Sequence, residues 1–176
     1  THDYTEEETR LKEIDWALEL AGWNLTQKRD REFPVTGMPT ESGQGFVDYV
    51  LWGDNGLPLA IIEAKRSRRD ARVGQQQAKL YADALEKQFG QRPVIFYSNG
   101  EVHWLWDDTN CPPRRVQGFY KKNELELMIQ RRTTRKPLAD GKINDLIVDR
   151  YYQHRAIRRV GEAFEKDLDR RALLVM

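Results

Sequence analysis

The chain has 176 residues, 39% of them hydrophobic and 32% charged, with a formal net charge of +1 at pH 7. That is enough apolar material for one domain with a packed core and the start of another, and it excludes wholesale disorder. No run of about 18 apolar residues exists to span a membrane, and a net charge this small does not by itself select a polyanionic partner. The single cysteine, Cys111, excludes an internal disulfide and a multi-cysteine zinc site. The N-terminus has no basic-then-apolar signal pattern, so the expected compartment is cytoplasmic, without membrane association.

Residues 5–21 read as an amphipathic helix: Leu11, Ile14, Leu18 and Ala21 recur at helical spacing, Thr5 can cap the start and Gly22 can end it. Residues 34–45 hold Pro34, Gly37, Pro39, Gly43 and Gly45 and read as a loop. Residues 46–52 and 59–65 read as two strands joined by the turn Gly53-Asp54-Asn55-Gly56, hence a hairpin. A helix is expected over 70–89, ended by Gly90, followed by an apolar, buried strand over 93–98, an Asn99-Gly100 turn and a strand over 101–106. Residues 107–118 read as loop. Asn123 can cap a helix reaching about Arg131, 133–142 read as linker, 144–167 as a last helix and 172–175 as a buried strand. The order predicts an α/β fold with a mixed central sheet flanked by helices.

Charge is unevenly distributed. Acids crowd the first helix (Glu6, Glu7, Glu8, Glu13, Asp15, Glu19), and bases crowd 65–72, 131–136 and 155–159. Such runs read as solvated faces, but the run from Lys65 adjoins the chemistry below.

On a strand, alternate side chains share a face, so Glu63 and Lys65 point to the same side at the end of the apolar run Leu59-Ala60-Ile61-Ile62. Asp48 is an acid within Val47, Tyr49, Val50 and Leu51, and the hairpin can bring it to Glu63. Two converging carboxylates are costly to desolvate, and a divalent cation relieves that cost; oxygen ligands suit Mg²⁺, which can activate water and stabilise charge developing on a phosphodiester. Lys65 could position that water or neutralise the transition state, and Arg66, Arg68, Arg69 and Arg72 follow where a polyanion would approach. The alternative is a structural ion pair of Lys65 with Asp48 or Glu63. In the next helix, Val73, Gln77, Leu80 and Ala84 share one face, which puts Gln77 on the core stripe with Tyr81 one turn later. A helix–sheet hydrogen bond and a role bordering the site are both open for Gln77.

Asp48, then Glu63-Ala64-Lys65, then Gln77-x-x-x-Tyr81 resembles the PD-(D/E)xK signature followed by the Gln-x-x-x-Tyr motif of RecB-like nucleases. Val47 stands where the motif's name has proline. With Thr9-Arg10-x-x-x-Ile14-Asp15-x-x-Leu18-x-x-Ala21-Gly22-Trp23, Ser98-Asn99-Gly100-x-x-x-x-Trp104 and Gly118-Phe119-Tyr120, the chain is similar over nearly its whole length to the N-terminal endonuclease domain of type I restriction enzyme R subunits (HsdR). Tyr152-Gln153-x-x-Ala156-Ile157 and Arg170-Arg171-Ala172-Leu173-Leu174-Val175-Met176 resemble the approach to a superfamily-2 helicase motor, in which the glutamine reads adenine; the other reading of Gln153 is an ordinary helix residue.

The resemblance implies a restriction-endonuclease-like core over 1–132, a linker over 133–143 and the truncated start of a motor over 144–176, cut before its ATP-binding loop. It implies Mg²⁺-dependent hydrolysis of double-stranded DNA, with Mn²⁺ as a substitute, and ATP used only by the full-length subunit together with modification and specificity subunits. Asp48, Glu63 and the Ala64 carbonyl would hold the metal, Lys65 would assist the attacking water, and Gln77 and Tyr81 would support the site. Such nucleases often take a further acid from the first helix, for which Glu7, on the face of Leu11, Ile14 and Leu18, is the candidate; a solvated first-turn glutamate is the alternative. The competing function is a non-catalytic PD-(D/E)xK-like DNA-binding or docking module. A small-molecule α/β enzyme is disfavoured, since no Gly-rich phosphate loop or nucleophile motif is found.

Overall fold

The structure is a computed structural model that describes residue 8 and residues 10–65, 70–167, 169 and 171–175. A π-helical turn, Arg10–Ile14, leads into α1 (Asp15–Leu20). Strands β1 (Arg31–Thr36), β2 (Gln44–Trp52) and β3 (Pro58–Ala64) follow, then a 3-10 turn, Ala71–Gly74, and α2 (Gln75–Phe89). β4 (Val94–Ser98), β5 (His103–Trp106), β6 (Arg114–Val116), α3 (Lys122–Thr134) and α4 (Tyr151–Glu165) complete the order.

The six strands form one sheet in sequence order. All neighbours are antiparallel except β3 and β4, which run parallel because α2 crosses over between them. Burying both faces of the central strands requires helices on each side. Accordingly Ile14, Leu18, Tyr49, Ile62, Phe96 and Leu125 form one core, under α1 and α3. Val50, Ile61, Ala78, Tyr81, Leu85 and Tyr97 form the other, under α2. The expected mixed α/β fold is therefore present, and the 46–52/59–65 hairpin is β2–β3.

Several local expectations are corrected. β1 occupies residues that read partly as loop. Pro34 reads as a breaker, but β1 is an edge strand, where a missing N–H is tolerated. The opposite edge, β6, is a three-residue strand inside the expected 107–118 loop, behind Pro112 and Pro113. Of the helix expected over 5–21, residues 5–7 and 9 lie outside the described residues, Arg10–Ile14 winds as a π-helix and Asp15–Leu20 as an α-helix, and Asp15, within the acidic run, is buried at 9% exposure. The face of α2 that meets the sheet carries Ala78, Tyr81, Ala82 and Leu85, whereas Val73 is exposed and Gln77 lies at the rim. The 3-10 winding of 71–74 takes Val73 out of the helical stripe, and within the helix the buried face is the neighbouring one, where small Ala78 and Ala82 let it approach the sheet. The last helix begins at Tyr151, not 144. Residues 172–175 are exposed and form no strand, since no described strand lies beside them to share hydrogen bonds. No described helix is long and apolar enough to cross a membrane.

Glu13 packs against the β4–β5 turn so closely that a Cβ on Gly100 would fall 1.7 Å from its Oε2. That oxygen is buried with no hydrogen-bond partner among the described residues. Burial, and then the nearby Glu101, raise the Glu13 carboxyl above its ordinary range. A raised folded-state pKa means that the native chain binds the proton more tightly, so this contribution to stability is lost as pH rises through the carboxylate range. Glu13→Gln should remove that fall and melt above the parent at pH 7; a lower melting temperature at pH 7 would count against the assignment.

Candidate active site

β2 and β3 pair with Tyr49 opposite Ile62 and Val50 opposite Ile61. One step further along this register, Asp48 faces Glu63. Both lie at the open end of the hairpin, on the α2 side of the sheet. Asp48 is half-buried, and its Oδ2 accepts a 2.7 Å hydrogen bond from the Ala64 N–H, which fixes the acid against the next strand. Glu63 is 2% and Lys65 9% exposed. Charges this buried persist only when paired. Lys65 Nζ donates to Glu63 Oε1 at 2.6 Å and to Gln77 Oε1 at 3.1 Å, and Gln77 Nε2 donates to the Tyr81 hydroxyl at 2.8 Å. The Lys65 N–H bonds the Ser98 carbonyl at 2.8 Å, tying the end of the motif to β4.

The structure thus brings Asp48, Glu63, Ala64, Lys65, Gln77 and Tyr81 together. Both readings of Gln77 hold in part: it bonds across from helix to sheet, and the group it bonds is the motif lysine. Tyr81 is buried, and burial raises its phenol above the ordinary range; Glu63 and Asp48 add to this while Gln77 and Lys65 oppose it. It therefore stays a neutral hydrogen-bonding group at physiological pH. Arg72 lies nearby but is committed to Asp70, 2.7 Å away, with its guanidinium 5.9 Å from the Trp104 ring. Gln153 sits on α4, which contributes no residue to this cluster. Glu7, Arg66, Arg68 and Arg69 lie outside the described residues. Among those described, no group of three or more His, Cys, Asp or Glu is placed to hold a metal, so Asp48 and Glu63 stand as a two-acid set.

Two features escape the motif reading. Gly74 lets the start of α2 approach the site: a Cβ there would lie 2.9 Å from Glu63 Cγ and 3.2 Å from Lys65 Cε. The second is a buried acid, Asp15, whose oxygens bond Tyr49 and Arg31 beside Asp48. An acid flanked by Ile14 and Leu18 was the available signal for it.

Residues 31–114 match the family model for the type I restriction enzyme R protein N terminus. The chain is 31% identical over 152 residues to the endonuclease subunit of the type I restriction enzyme EcoKI of Escherichia coli K12, covering 72% of this chain and 13% of that subunit. It is 28% identical over 201 residues to the EcoAI endonuclease subunit of Escherichia coli, covering 98% of this chain and 23% of the subunit. The chain therefore spans less than a quarter of the length of either curated relative. A solved fragment assigned to an HsdR subunit of a type I restriction enzyme from Vibrio vulnificus YJ016 superimposes with a TM-score of 0.60 at 22% identity, over 93% of this chain and 33% of that one. That likeness establishes a shared fold.

Gly74→Ala separates helix propensity from site packing. Gly74 has φ −79°, so alanine is conformationally acceptable and favours the helix by up to about 1 kcal/mol. The 2.9 Å approach to a buried side chain opposes it, and overpacking of this kind costs about 1–3 kcal/mol. Net destabilisation is expected in denaturant unfolding; a stabilised variant would show that Glu63 and Lys65 have room to move.

Proposed function

The chain belongs to the family formed by the N-terminal regions of type I restriction enzyme R proteins, and from that membership we propose that it is a metal-dependent DNA endonuclease domain. The observation that carries this reading is the bond from the Ala64 N–H to Asp48, which holds that acid at the Glu63 end of β3, with Lys65 buried and paired to Glu63.

The donor set suits a hard divalent cation. Asp48 and Glu63 offer carboxylate oxygens from adjacent strands, the Ala64 carbonyl follows Glu63 directly in sequence, and no sulfur or imidazole takes part, as Mg²⁺ or Mn²⁺ prefers. When bound, such a cation supplies Lewis-acid stabilisation of the charge that develops on the phosphodiester. The protein's own groups do the positioning. Asp48 is held by the Ala64 N–H, and Glu63 is held by Lys65. The Lys65 ammonium, fixed by Glu63 and Gln77, orients the attacking water and offsets negative charge on the phosphoryl group. Water oxygen then bonds phosphorus and gives its proton to solvent, while the bond from phosphorus to the leaving sugar oxygen breaks and that oxygen takes a proton from solvent. Tyr81, neutral and bonded to Gln77, keeps that chain of contacts in register. In the complete subunit, cleavage is coupled to an ATP-driven motor and to modification and specificity subunits; that coupling is carried over from the family resemblance.

The test is nicking of supercoiled plasmid in Mg²⁺ or Mn²⁺ alongside DNA binding. Asp48→Asn keeps an acceptor for the Ala64 N–H, and Lys65→Met keeps much of the side-chain volume. Each should reduce cleavage by about 10²-fold or more, the scale of losing one transition-state contact, while DNA is still bound. Lys65→Met cutting at the parent rate would contradict the proposal. A parent that binds DNA but never cuts it, with either metal, would favour the non-catalytic module.

A further inference from the structure

A cleft of about 910 Å³ opens on the β1 side of the site and has Asp48 in its lining, together with Asp15, Arg29, Arg31, Phe33 and Tyr49. Arg31 lies opposite Tyr49 in the β1–β2 register, and Tyr49 follows Asp48 in β2. The Arg31 and Tyr49 side chains therefore leave the sheet on its α1 face, and it is along the β1 edge, in the lining of this one cleft, that Arg31 and Asp48 come together. Its orientation is built from behind. Asp15, 9% exposed, accepts the Tyr49 hydroxyl at 2.8 Å and Arg31 Nη2 at 2.9 Å, and the guanidinium lies 6.0 Å from the Tyr49 ring centre. The Arg31 side chain itself remains 44% exposed, against 13% for that of Asp15. A buried acid thus holds one edge of a planar guanidinium and leaves its remaining surface toward the cleft, the way arginine is presented for phosphate recognition.

The backbone beside it is strained. Glu32 has φ +46°, an unfavourable left-handed conformation for a residue with a side chain, and it interrupts the ladder between Arg31 and Phe33. Lys28 and Arg29 line the same cleft; the Arg29 guanidinium is 4.9 Å from the Trp52 ring centre and its Nε bonds Gln27. Acids are present as well: Asp15 is engaged by Arg31 and Tyr49, Asp48 belongs to the site, and Glu32 is exposed.

Resting on the nuclease reading, we infer that Arg31, oriented by Asp15 and Tyr49, binds a backbone phosphate of the DNA strand that enters this cleft, which Asp48 also lines, and so sets the path of that strand along the β1 edge of the site. Arg31 is a positioning residue, and its ligand class is the DNA phosphodiester backbone. The competing role is a brace that ties α1 to the edge strand, which would affect stability and not the electrostatics of binding.

The experiment is fluorescence anisotropy of the full chain with a short labelled duplex, without divalent metal, over a series of salt concentrations. Each phosphate contact contributes about 0.9 to the slope of log affinity against log salt. Arg31→Ala should weaken binding about tenfold at low salt and reduce the slope by about one. Lys122→Ala, at the far end of the hairpin where Lys122 pairs with Asp54, should leave the slope unchanged. Arg31→Gln keeps a donor for Asp15 and removes the charge, so it decides the matter if Arg31→Ala does not fold. A folded Arg31→Ala or Arg31→Gln with the parent's slope and affinity overturns the inference. A parent that does not bind duplex DNA at all overturns the nuclease reading, and this inference with it.

Discussion

Glu63 and Lys65 end a strand whose other residues are apolar and buried, and the site depends on their burial together. Separately, either charge would lose its hydration for little return. As a 2.6 Å pair with Gln77 as a second acceptor, they are held where an unpaired charge would not remain. Removing one partner from such a pair costs about 3–5 kcal/mol, so the geometry of Lys65 is inseparable from that of Glu63. Asp48 joins them because the β2–β3 register, paired up to Tyr49 and Ile62, brings it to the end of β3, where it accepts the Ala64 N–H. A slip of one residue would turn Asp48 to the other face and put Tyr49 in its place.

The surrounding fold serves that pairing. The parallel step from β3 to β4 requires a crossover helix, and α2 is that helix; the 3-10 turn that leads into it delivers Gly74 to the Glu63 and Lys65 side chains, and its first turn delivers Gln77. The Ser98 carbonyl at the end of β4 takes the Lys65 N–H, so the chain keeps its direction up to Lys65. On the other side, β1 is an edge strand with solvent along one side. Proline at position 34 and a left-handed residue at 32 are tolerated there, and the edge is free to shape a cleft beside Asp48.

This explains what could be read from the residues alone. That Asp48, Glu63 and Lys65 come together was legible because charge in an apolar, β-branched context must find a partner, and the period of a strand fixes which charges share a face. The Gln77–Tyr81 bond was legible as a pair four apart on a helix. The exact face of α2 was not: Val73 lies in a 3-10 turn that nothing in Ala71-Arg72-Val73-Gly74 announces, and within the helix the buried face carries two alanines, Ala78 and Ala82, which mark a close approach only weakly. Edge strands β1 and β6 were hidden for the opposite reason: they contain or follow prolines and bury little, so they lack the alternation that marks a strand. Asp15 was obscured by the acids around it, since a charge run looks the same whether all of it is solvated or one member turns inward. The apolar 172–175 segment shows the converse error, in which composition suggests a strand where no partner strand exists among the described residues.

The account's central claim is that Asp48 and Glu63 hold one cation between two strands. Calorimetric titration of Mn²⁺ into the parent, Asp48→Asn, Glu63→Gln and the double variant addresses it as a thermodynamic cycle. The account predicts one metal bound per chain, a large loss of affinity in each single variant, and a double variant little worse than either single one, because the second acid has no shared site left to lose. Losses that simply add, or a parent that takes up metal no better than the double variant at millimolar concentration, would mean that the two acids act independently and that the pairing with Lys65 is structural alone.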